Sequence, residues 1–348
     1  MTASARRERI RLILRQTLDQ QFDDSRGYLD AKHSKWQPSG PWRTLFEEYS
    51  TWDSATQFNQ ELYLALRGQF RDDLIREILL AAAGLKVSRL SLKERKIASL
   101  RVHIEQHGLQ IVTSENQWIP LLDFGKGGWA NRGVRGAESG DPNAIRNVYI
   151  ASDTALAETA KLLDEAGEDN LFGALLGIPA CCREAFDRFK PLAAAKQYDF
   201  VPHVLGNTGG APPFDWRLNY TAQYFGCSLL SFFPCSFRCP SAAAVSDRAL
   251  RLVADCDPAW LNRVVKLQQA NVLYTENSGL HLFRARLDNG RITYGPQDLQ
   301  STEPNELADL LRRGDWLDVG DVHAVQVYRG TTKIADLSGK DAHMCVFH

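Results

Sequence analysis

Several features that mark other protein classes are missing from this 348-residue chain. Long apolar runs are absent: the longest clean one, Ile78 to Ala83, falls far short of the ~18 residues of a membrane-spanning helix. Net charge is also almost absent, because 41 Lys and Arg residues face 42 Asp and Glu residues, giving a formal charge of −1. Without a broad positive field, a protein does not gather nucleic acid or anionic lipid. The composition predicts a soluble protein that binds neither nucleic acid nor membranes.

Common nucleotide and redox signatures are absent as well. The glycine-rich stretch from Asp123 to Pro142 does not end in the Gly-Lys-Ser/Thr of a P-loop, nor does it match a G-x-G-x-x-G fingerprint followed by a helix. No Cys-x-x-Cys pair occurs, which argues against a thiol–disulfide redox protein. The N-terminus lacks the apolar core and cleavage pattern of a signal peptide, so we expect a reducing, cytoplasmic setting. Clustered cysteines in that setting are metal ligands or redox groups more often than disulfides.

What the chain does contain is an uneven distribution of cysteine, because four of its seven cysteines lie in two short segments. The first segment, GIPACCREAF, carries Cys181 and Cys182, and the second, FFPCSFRCP, carries Cys235 and Cys239. The 52 residues between Cys182 and Cys235 are too many for a local zinc knuckle. Two inert pairs of buried thiols are one alternative, and a shared site made by tertiary folding is the one that we favour.

Both segments are predicted to lie at the start of a helix. Gly177 breaks the preceding pattern, and Pro179 has the backbone angle suited to a first helical position, so Cys181 and Cys182 should open a helix. An alanine-rich helical pattern likewise follows the second segment from Ser241. The positive end of a helix dipole favours the thiolate, which is the form of cysteine that binds metals.

Four thiolates suit zinc or an iron–sulfur cluster. The side chains of adjacent cysteines are expected to diverge, so they should chelate one small ion poorly, whereas a larger cluster tolerates ligands that point apart. We therefore predict an iron–sulfur cluster, 4Fe-4S in type, with zinc as the alternative. The predicted metal ligands are Cys181, Cys182, Cys235 and Cys239. Three of them suffice, with either Cys181 or Cys182 as the first ligand, if one iron of the cluster is left open. Cys227 is either a further ligand or a buried helical cysteine, and Cys256 and Cys345 are predicted to be structural.

The cysteine segments also resemble a family of unknown function. In that family a G-Y-P-x-C-C segment and an H-x-P-C-S-x-x-C segment recur, and this chain has LLGIPACC and FFPCSFRC, with the similarity covering about residues 147 to 285. Ile178 replaces the family's tyrosine and Phe232 replaces its histidine, so no role of that histidine carries over. The resemblance implies a cysteine site and leaves its reaction open.

Several other residues are candidates for binding or catalysis around the cysteines. His203, between the two segments, is the histidine best placed for acid–base work, with a surface-loop histidine as the alternative. Arg183 and Glu184, beside the first cysteines, are predicted to orient a substrate, unless they form a solvent-exposed pair. A second flexible stretch, GNTGGAPP, leads to Arg217 and Asn219, which we predict to bind substrate.

The first glycine-rich stretch is predicted to be a mobile flap, with plain disorder as the alternative. It carries Lys126, Arg132 and Arg135, a cluster of positive charge suited to a carboxylate or phosphate group. Closure of such a flap would clamp a small anionic metabolite over the metal and exclude water.

The order of patterns predicts an α+β fold in three regions: helices over residues 1–108, an α/β segment with the cysteines over 109–269, and antiparallel strands over 270–348. The predicted function is an iron–sulfur enzyme, a lyase or oxidoreductase, whose open iron acts as a Lewis acid in lyase, dehydratase or sulfur-transfer chemistry. The alternative is a non-enzymatic protein in which a structural four-cysteine zinc site supports binding of a protein partner. The sequence carries no signal for an oligomeric state.

Overall fold

The computed structural model describes residues 52–120, 134–136, 141–339 and 341–348 and confirms the α+β class. The chain divides into two compact units, Met1–Trp118 with Gly136–Glu184, and Ile119–Arg135 with Ala185–His348. In the described residues, no helix has the length and apolar character that crossing a membrane requires. The three regions predicted from the sequence, residues 1–108, 109–269 and 270–348, stay a prediction.

The first part of the chain surrounds one antiparallel sheet. Its helices are α1 (Trp52–Leu66), α2 (Asp72–Ala82), α3 (Glu94–Gln106), α4 (Thr154–Ala166) and α5 (Asp169–Leu175). Its strands are β1 (Ser88–Lys93), β2 (Gln110–Thr113), β3 (Trp118–Pro120), β4 (Val134–Gly136) and β5 (Ile145–Ala151).

Strand β5 is the centre of this sheet, because β1, β2 and β3 all pair with it. Its last five residues are buried, as expected of a strand covered on both faces. The sequence patterns over Leu109 to Thr113 and Trp118 to Leu122 predict a hairpin, but that pairing is wrong, since β2 and β3 each pair with β5 instead. Asp153 then caps α4, accepting hydrogen bonds from the amides of Ala155 (2.6 Å) and Leu156 (3.2 Å).

The second part of the chain begins inside a continuous helix, α6. Its helices are α6 (Ala180–Ala194), α7 (Val201–Thr208), α8 (Pro240–Cys256), α9 (Pro258–Gln268) and α10 (Glu306–Arg313), with short 3₁₀ turns at Trp216–Leu218, Tyr220–Phe225 and Pro296–Asp298. Its strands are β6 (Asn271–Thr275), β7 (Gly279–Phe283), β8 (Leu287–Asp288), β9 (Arg291–Thr293), β10 (Leu299–Ser301), β11 (Trp316–Asp321), β12 (Ala324–Arg329), β13 (Thr332–Asp336) and β14 (Ala342–Cys345).

Two antiparallel sheets form the C-terminal region, in the orders β10-β7-β6-β14 and β13-β12-β11-β9-β8. The sequence predicts strands near Val272 to Thr275, Leu280 to Arg286 and Arg291 to Tyr294, joined by tight turns at 277–279 and 288–290. The first hairpin is confirmed, because β6 pairs with β7. The second turn is present, but β9 pairs with the separate short strand β8 rather than with β7. In the second of these turns Asn289 and Gly290 have φ values of 48° and 77°, the left-handed pair that a tight hairpin requires. One apolar cluster, which includes Phe283, Leu317 and Met344, fills the core of this region.

Candidate metal centre

The four cysteines predicted as metal ligands come together in space. The Sγ atoms of Cys181, Cys182, Cys235 and Cys239 all lie within 4.8 Å of one another. Cys182 and Cys239 are buried, Cys235 is partly buried and Cys181 is exposed. Thiolates at such spacing are a donor set for a soft metal ion. The prediction of a four-cysteine group able to hold a metal is therefore confirmed.

The first two cysteines lie in the first turn of α6, as predicted. The carbonyl of Pro179 accepts hydrogen bonds from the amides of Cys182 (2.9 Å) and Arg183 (3.0 Å), which begins the helical ladder. The Sγ atoms of Cys181 and Cys182 are 4.0 Å apart. The expectation that the side chains of adjacent cysteines diverge is wrong here, because both sulfurs point toward the same group.

The turn that leads into α6 is fixed by the residues before β1. Gly177 has a φ of 70°, which L side chains rarely adopt, and a Cβ there would meet the Cβ of Lys86 at 3.3 Å. The amide of Val87 donates to the carbonyl of Leu175 at 2.8 Å. Glycine at 177 therefore allows the chain to turn close to residues 86–87 before the cysteines begin.

The other two cysteines precede α8, again as predicted. Cys239 is the N-cap of that helix: its Sγ accepts from the amide of Ala242 at 3.4 Å, and Pro240 occupies the first helical position. The amide of Cys239 also donates to the carbonyl of Ser236 at 3.3 Å. Cys181, Cys182 and Cys239 thus lie at helix N-termini, where the backbone dipole stabilises a thiolate, and Cys235 lies in the loop before α8.

The predicted substrate-orienting pair on α6 is split between core and solvent. Arg183 is buried rather than exposed, and its guanidinium donates to the carbonyl oxygen (3.0 Å) and the Oδ1 atom (2.8 Å) of Asn170. It packs over Gly173, where a Cβ would lie 3.1 Å from its Cδ. Glu184 is exposed. Arg183 thus ties the first turn of α6 to α5, and a role of either residue toward a substrate stays a prediction.

His203 lies on α7, so the alternative of a surface-loop histidine is wrong. Its ring stacks on Phe189 with centroids 5.7 Å apart, and its Nε2 is buried with no hydrogen-bond partner within the described part of the chain. Burial lowers the pKa of His203, and the positive charge of Lys196 acts in the same direction. A neutral imidazole is the favoured form, and its predicted catalytic role stays a prediction.

Arg217 and Asn219, predicted to bind substrate, already bind other parts of the second unit. Arg217 donates to Asp215 (2.7 Å) and to Asp247 on α8 (2.8 Å) at the edge of an open cleft of about 590 Å³. The buried amide of Asn219 donates to the carbonyls of Gln268 (3.0 Å) and Ala270 (3.3 Å). These bonds brace the turn at residues 215–219, and binding of a substrate there stays a prediction.

The remaining candidates lie apart from the cysteine group or outside the described residues. Cys227 is buried in coil rather than helix, with its thiol 3.6 Å from the carbonyl of Ser228. Burial raises the pKa of both Cys256 and Cys345 to about 12, as suits structural thiols. Two of the predicted anion-binding residues of the first glycine-rich stretch, Lys126 and Arg132, lie outside the described residues. For the third, Arg135, the structure describes only the backbone, which lies in β4.

Sequence analysis missed two residues that contact the second cysteine segment. Asn207 donates from Nδ2 to the carbonyl of Cys235 at 2.7 Å, and Thr208 accepts at Oγ1 from the amide of Phe237 at 3.0 Å. Both lie in the stretch GNTGGAPP, which we predicted to be flexible, yet its first three residues complete α7. The only sign of these contacts in the sequence was that Asn207 and Thr208 are polar residues within a glycine-rich run.

No protein-family model, curated protein or solved structure matches the chain. The resemblance of the cysteine segments to a family of unknown function therefore stays a prediction.

Proposed function

We propose that this protein binds a single metal ion, preferably zinc, through the thiolates of Cys181, Cys182, Cys235 and Cys239, and that the ion stabilises the fold. The observation that carries this proposal is the 4.8 Å limit on the separation of the four Sγ atoms. Four protein ligands fill a tetrahedral shell and leave no open position, which is typical of structural rather than catalytic zinc.

The spacing of the sulfurs supports a single ion. Zinc–sulfur bonds of about 2.3 Å in a tetrahedron place the sulfurs about 3.8 Å apart. The Sγ atoms of Cys181 and Cys182 are 4.0 Å apart, and no pair in the group exceeds 4.8 Å. Shortening the Sγ–Sγ distances by at most about 1 Å therefore completes the coordination shell of the ion. Side-chain rotation of Cys181, the exposed member, provides part of that adjustment.

The gain in stability follows from the positions of the ligands in the chain. The ion joins two segments with 52 residues between them, so it binds only when folding has brought distant parts of the chain together. Because the complete donor set exists only in the folded protein, the binding free energy of the ion is also folding free energy. For thiolate zinc sites this contribution is on the order of 10 kcal/mol at neutral pH.

The iron–sulfur enzyme predicted from the sequence is the second candidate. Thiolates that bind different irons of a four-iron cluster lie roughly 6 Å apart, so the group would have to expand to hold one. An open iron requires that only three of the four cysteines bind the cluster. The exposure of Cys181 favours this candidate, because a cluster held by the other three cysteines would have its fourth iron near the surface, open to a small anionic substrate. An open iron of this kind supplies the Lewis acid for lyase, dehydratase or sulfur-transfer chemistry.

Metal and sulfide analysis of the full chain after anaerobic purification separates these candidates. We expect a colourless protein with one zinc per chain and no acid-labile sulfide, and exchange with Co²⁺ should produce thiolate-to-cobalt charge-transfer absorption. Iron and sulfide in similar amounts, with broad absorbance near roughly 400 nm, would instead establish the second candidate. A chain that holds neither metal after purification or reconstitution would overturn both.

A further inference from the structure

The C-terminal end of α7 lies against the loop that carries the second pair of cysteines. Asn207 donates from Nδ2 to the carbonyl of Cys235 at 2.7 Å. Thr208 accepts at Oγ1 from the amide of Phe237 at 3.0 Å, while its own hydroxyl proton goes to the carbonyl of Val204 at 2.6 Å. Two consecutive side chains of α7 therefore satisfy the backbone on either side of Ser236, next to the ligands.

The chain after α7 contacts the same loop again. Gly209 and Gly210 both have positive φ values, 60° and 71°, so the chain reverses direction directly after the helix. The carbonyls of Ala211 and Pro213 then accept hydrogen bonds from the guanidinium of Arg238. We name residues 207–213 the cradle. It contacts the loop at residues 235, 237 and 238, and so surrounds the backbone that bears Cys235 and Cys239.

Apolar packing fixes the same loop from its other side. The ring of Phe237 is fully buried, 5.6 Å from Phe214 and 5.9 Å from Tyr220 between centroids, in stacked arrangements with both. A buried aromatic side chain in a dense core keeps one rotamer. The loop is therefore held by polar contacts at its backbone and at the Arg238 guanidinium, and by apolar contacts at the ring of Phe237, and neither set involves a metal.

We propose that Asn207 and Thr208 are positioning residues that order the loop of Cys235 and Cys239 before a metal ion arrives. This inference rests on the proposed metal site. It goes beyond that proposal, because it states that the loop becomes ordered before the metal ion binds. A loop ordered by folding does not lose conformational entropy again when the ion binds, so the ion binds more tightly. Groups that orient the ligands of a metal in this way affect metal affinity by roughly 10- to 100-fold.

The test compares zinc affinities of full-chain variants by competition with a chromophoric chelator. Asn207→Asp keeps the size of the side chain but replaces its donor with an oxygen, and Thr208→Val keeps the shape but removes the hydroxyl. We expect each to weaken zinc binding about tenfold or more. Thr208→Ser, which retains the hydroxyl, should bind zinc nearly as the wild type does.

Asn305→Ala is the matched control. Asn305 performs the same chemistry far from the cysteines in sequence, donating to the carbonyl of Ser278 at 2.9 Å and accepting from the amide of Ala308 at 2.8 Å as the cap of α10. Its loss should lower the melting temperature and leave zinc affinity unchanged. If Asn207→Asp and Thr208→Val behave as this control does, the two residues are merely structural and the inference is wrong.

Hydrogen exchange in the metal-free protein gives a readout that does not depend on zinc. The amide of Phe237 should be protected in the metal-free wild type and should exchange faster in Thr208→Val. An amide of Phe237 that gains protection only with zinc would mean that the ion orders the loop, which contradicts the inference. If the wild type binds no zinc, the proposed function fails, yet protection of this amide still decides whether the cradle orders the loop.

Discussion

Replacing Cys235 with serine is expected to release the metal ion, whereas replacing Cys256 with serine leaves it bound. The serine hydroxyl stays protonated at neutral pH and is a poor ligand for a soft ion, so three thiolates would remain. Since a four-thiolate zinc site contributes on the order of 10 kcal/mol, losing one ligand should weaken binding by roughly a thousandfold or more. Metal content by elemental analysis and affinity by chelator competition measure the change. The same substitution should lower the melting temperature, because ion binding and folding are linked.

Cys256 is a suitable control because it is also a cysteine of the second unit. It is the last residue of α8, and the four-cysteine group does not include it. Burial, together with the charges of Asp255 and Asp257, raises the pKa of its thiol to about 12, so it is not poised to bind a metal. Equal loss of metal from Cys256→Ser and Cys235→Ser would show that the ligand assignment is wrong.

Glu77→Gln should destabilise the first unit by about 3–5 kcal/mol, the usual cost of removing one partner from a buried ion pair. Glu77 lies on α2 with only 7% of its surface exposed, and its carboxylate accepts from Lys86 (2.5 Å) and Arg76 (2.9 Å). Glutamine leaves both cations buried beside a neutral amide. Lys86 also packs against Gly177, so the damage should extend to the turn that precedes the first cysteines.

Urea unfolding of the wild type and of Glu77→Gln at pH 7 measures this loss of stability. Glu94→Gln is the control variant. Glu94 pairs with Arg146 at 3.1 Å, but 72% of its side chain is exposed, so that variant should cost less than about 1 kcal/mol. A Glu77→Gln variant as stable as Glu94→Gln would mean that the buried cluster contributes nothing beyond a surface pair.

The carboxylate of Glu77 also makes the stability of the folded protein depend on pH. Burial acts to raise the pKa of Glu77, but the charges of Lys86 and Arg76 outweigh it and lower the pKa from 4.5 to about 2. A carboxyl with a lowered pKa in the folded state stabilises fully above pH 4.5, and this stabilisation is lost as the pH falls toward 2. The shift corresponds to about 3 kcal/mol. Urea midpoints between pH 6 and pH 2 should fall more steeply for the wild type than for Glu77→Gln.

Local signals predicted several of the described helices, but not α5 or α7. The pattern from Pro258 to Gln268 predicts a helix with proline in its first turn, and α9 has both of these ends, while the alanine-rich pattern from Ser241 predicts the start of α8 beside Cys239. Ser91 to Glu94 reads as a capping box that opens a helix, so α3 was predicted and the strand β1 before it was missed. The hydroxyl of Ser91 instead donates to Asn147 at 2.9 Å, across the pairing of β1 with β5. A partner 56 residues away in the chain decides the conformation, and no local pattern contains it.

The candidate site shows the same division between local and distant information. The crowding of four cysteines into two helix starts predicted which thiols meet. The distance between the sulfurs was not predictable, because it depends on tertiary packing that no local pattern contains. The cradle was missed for a related reason: composition made GNTGGAPP a flexible loop, while Asn207 finds its acceptor 28 residues further along the chain.

The separation of the two cysteine pairs also affects how the protein acquires its ion during synthesis. Cys181 and Cys182 leave the ribosome first, and Cys239 follows 57 residues later, a delay of roughly 3 to 11 s at typical elongation rates. For most of that interval, until Cys235 has emerged, the nascent chain offers two of the four ligand sulfurs, and an ion bound to two ligands exchanges readily with cellular buffers. Tight capture begins only once the start of α8 has emerged. A ribosome stalled between the two segments therefore carries a chain that cannot retain zinc, and metal retention by the nascent chain reports that translation has passed Cys239.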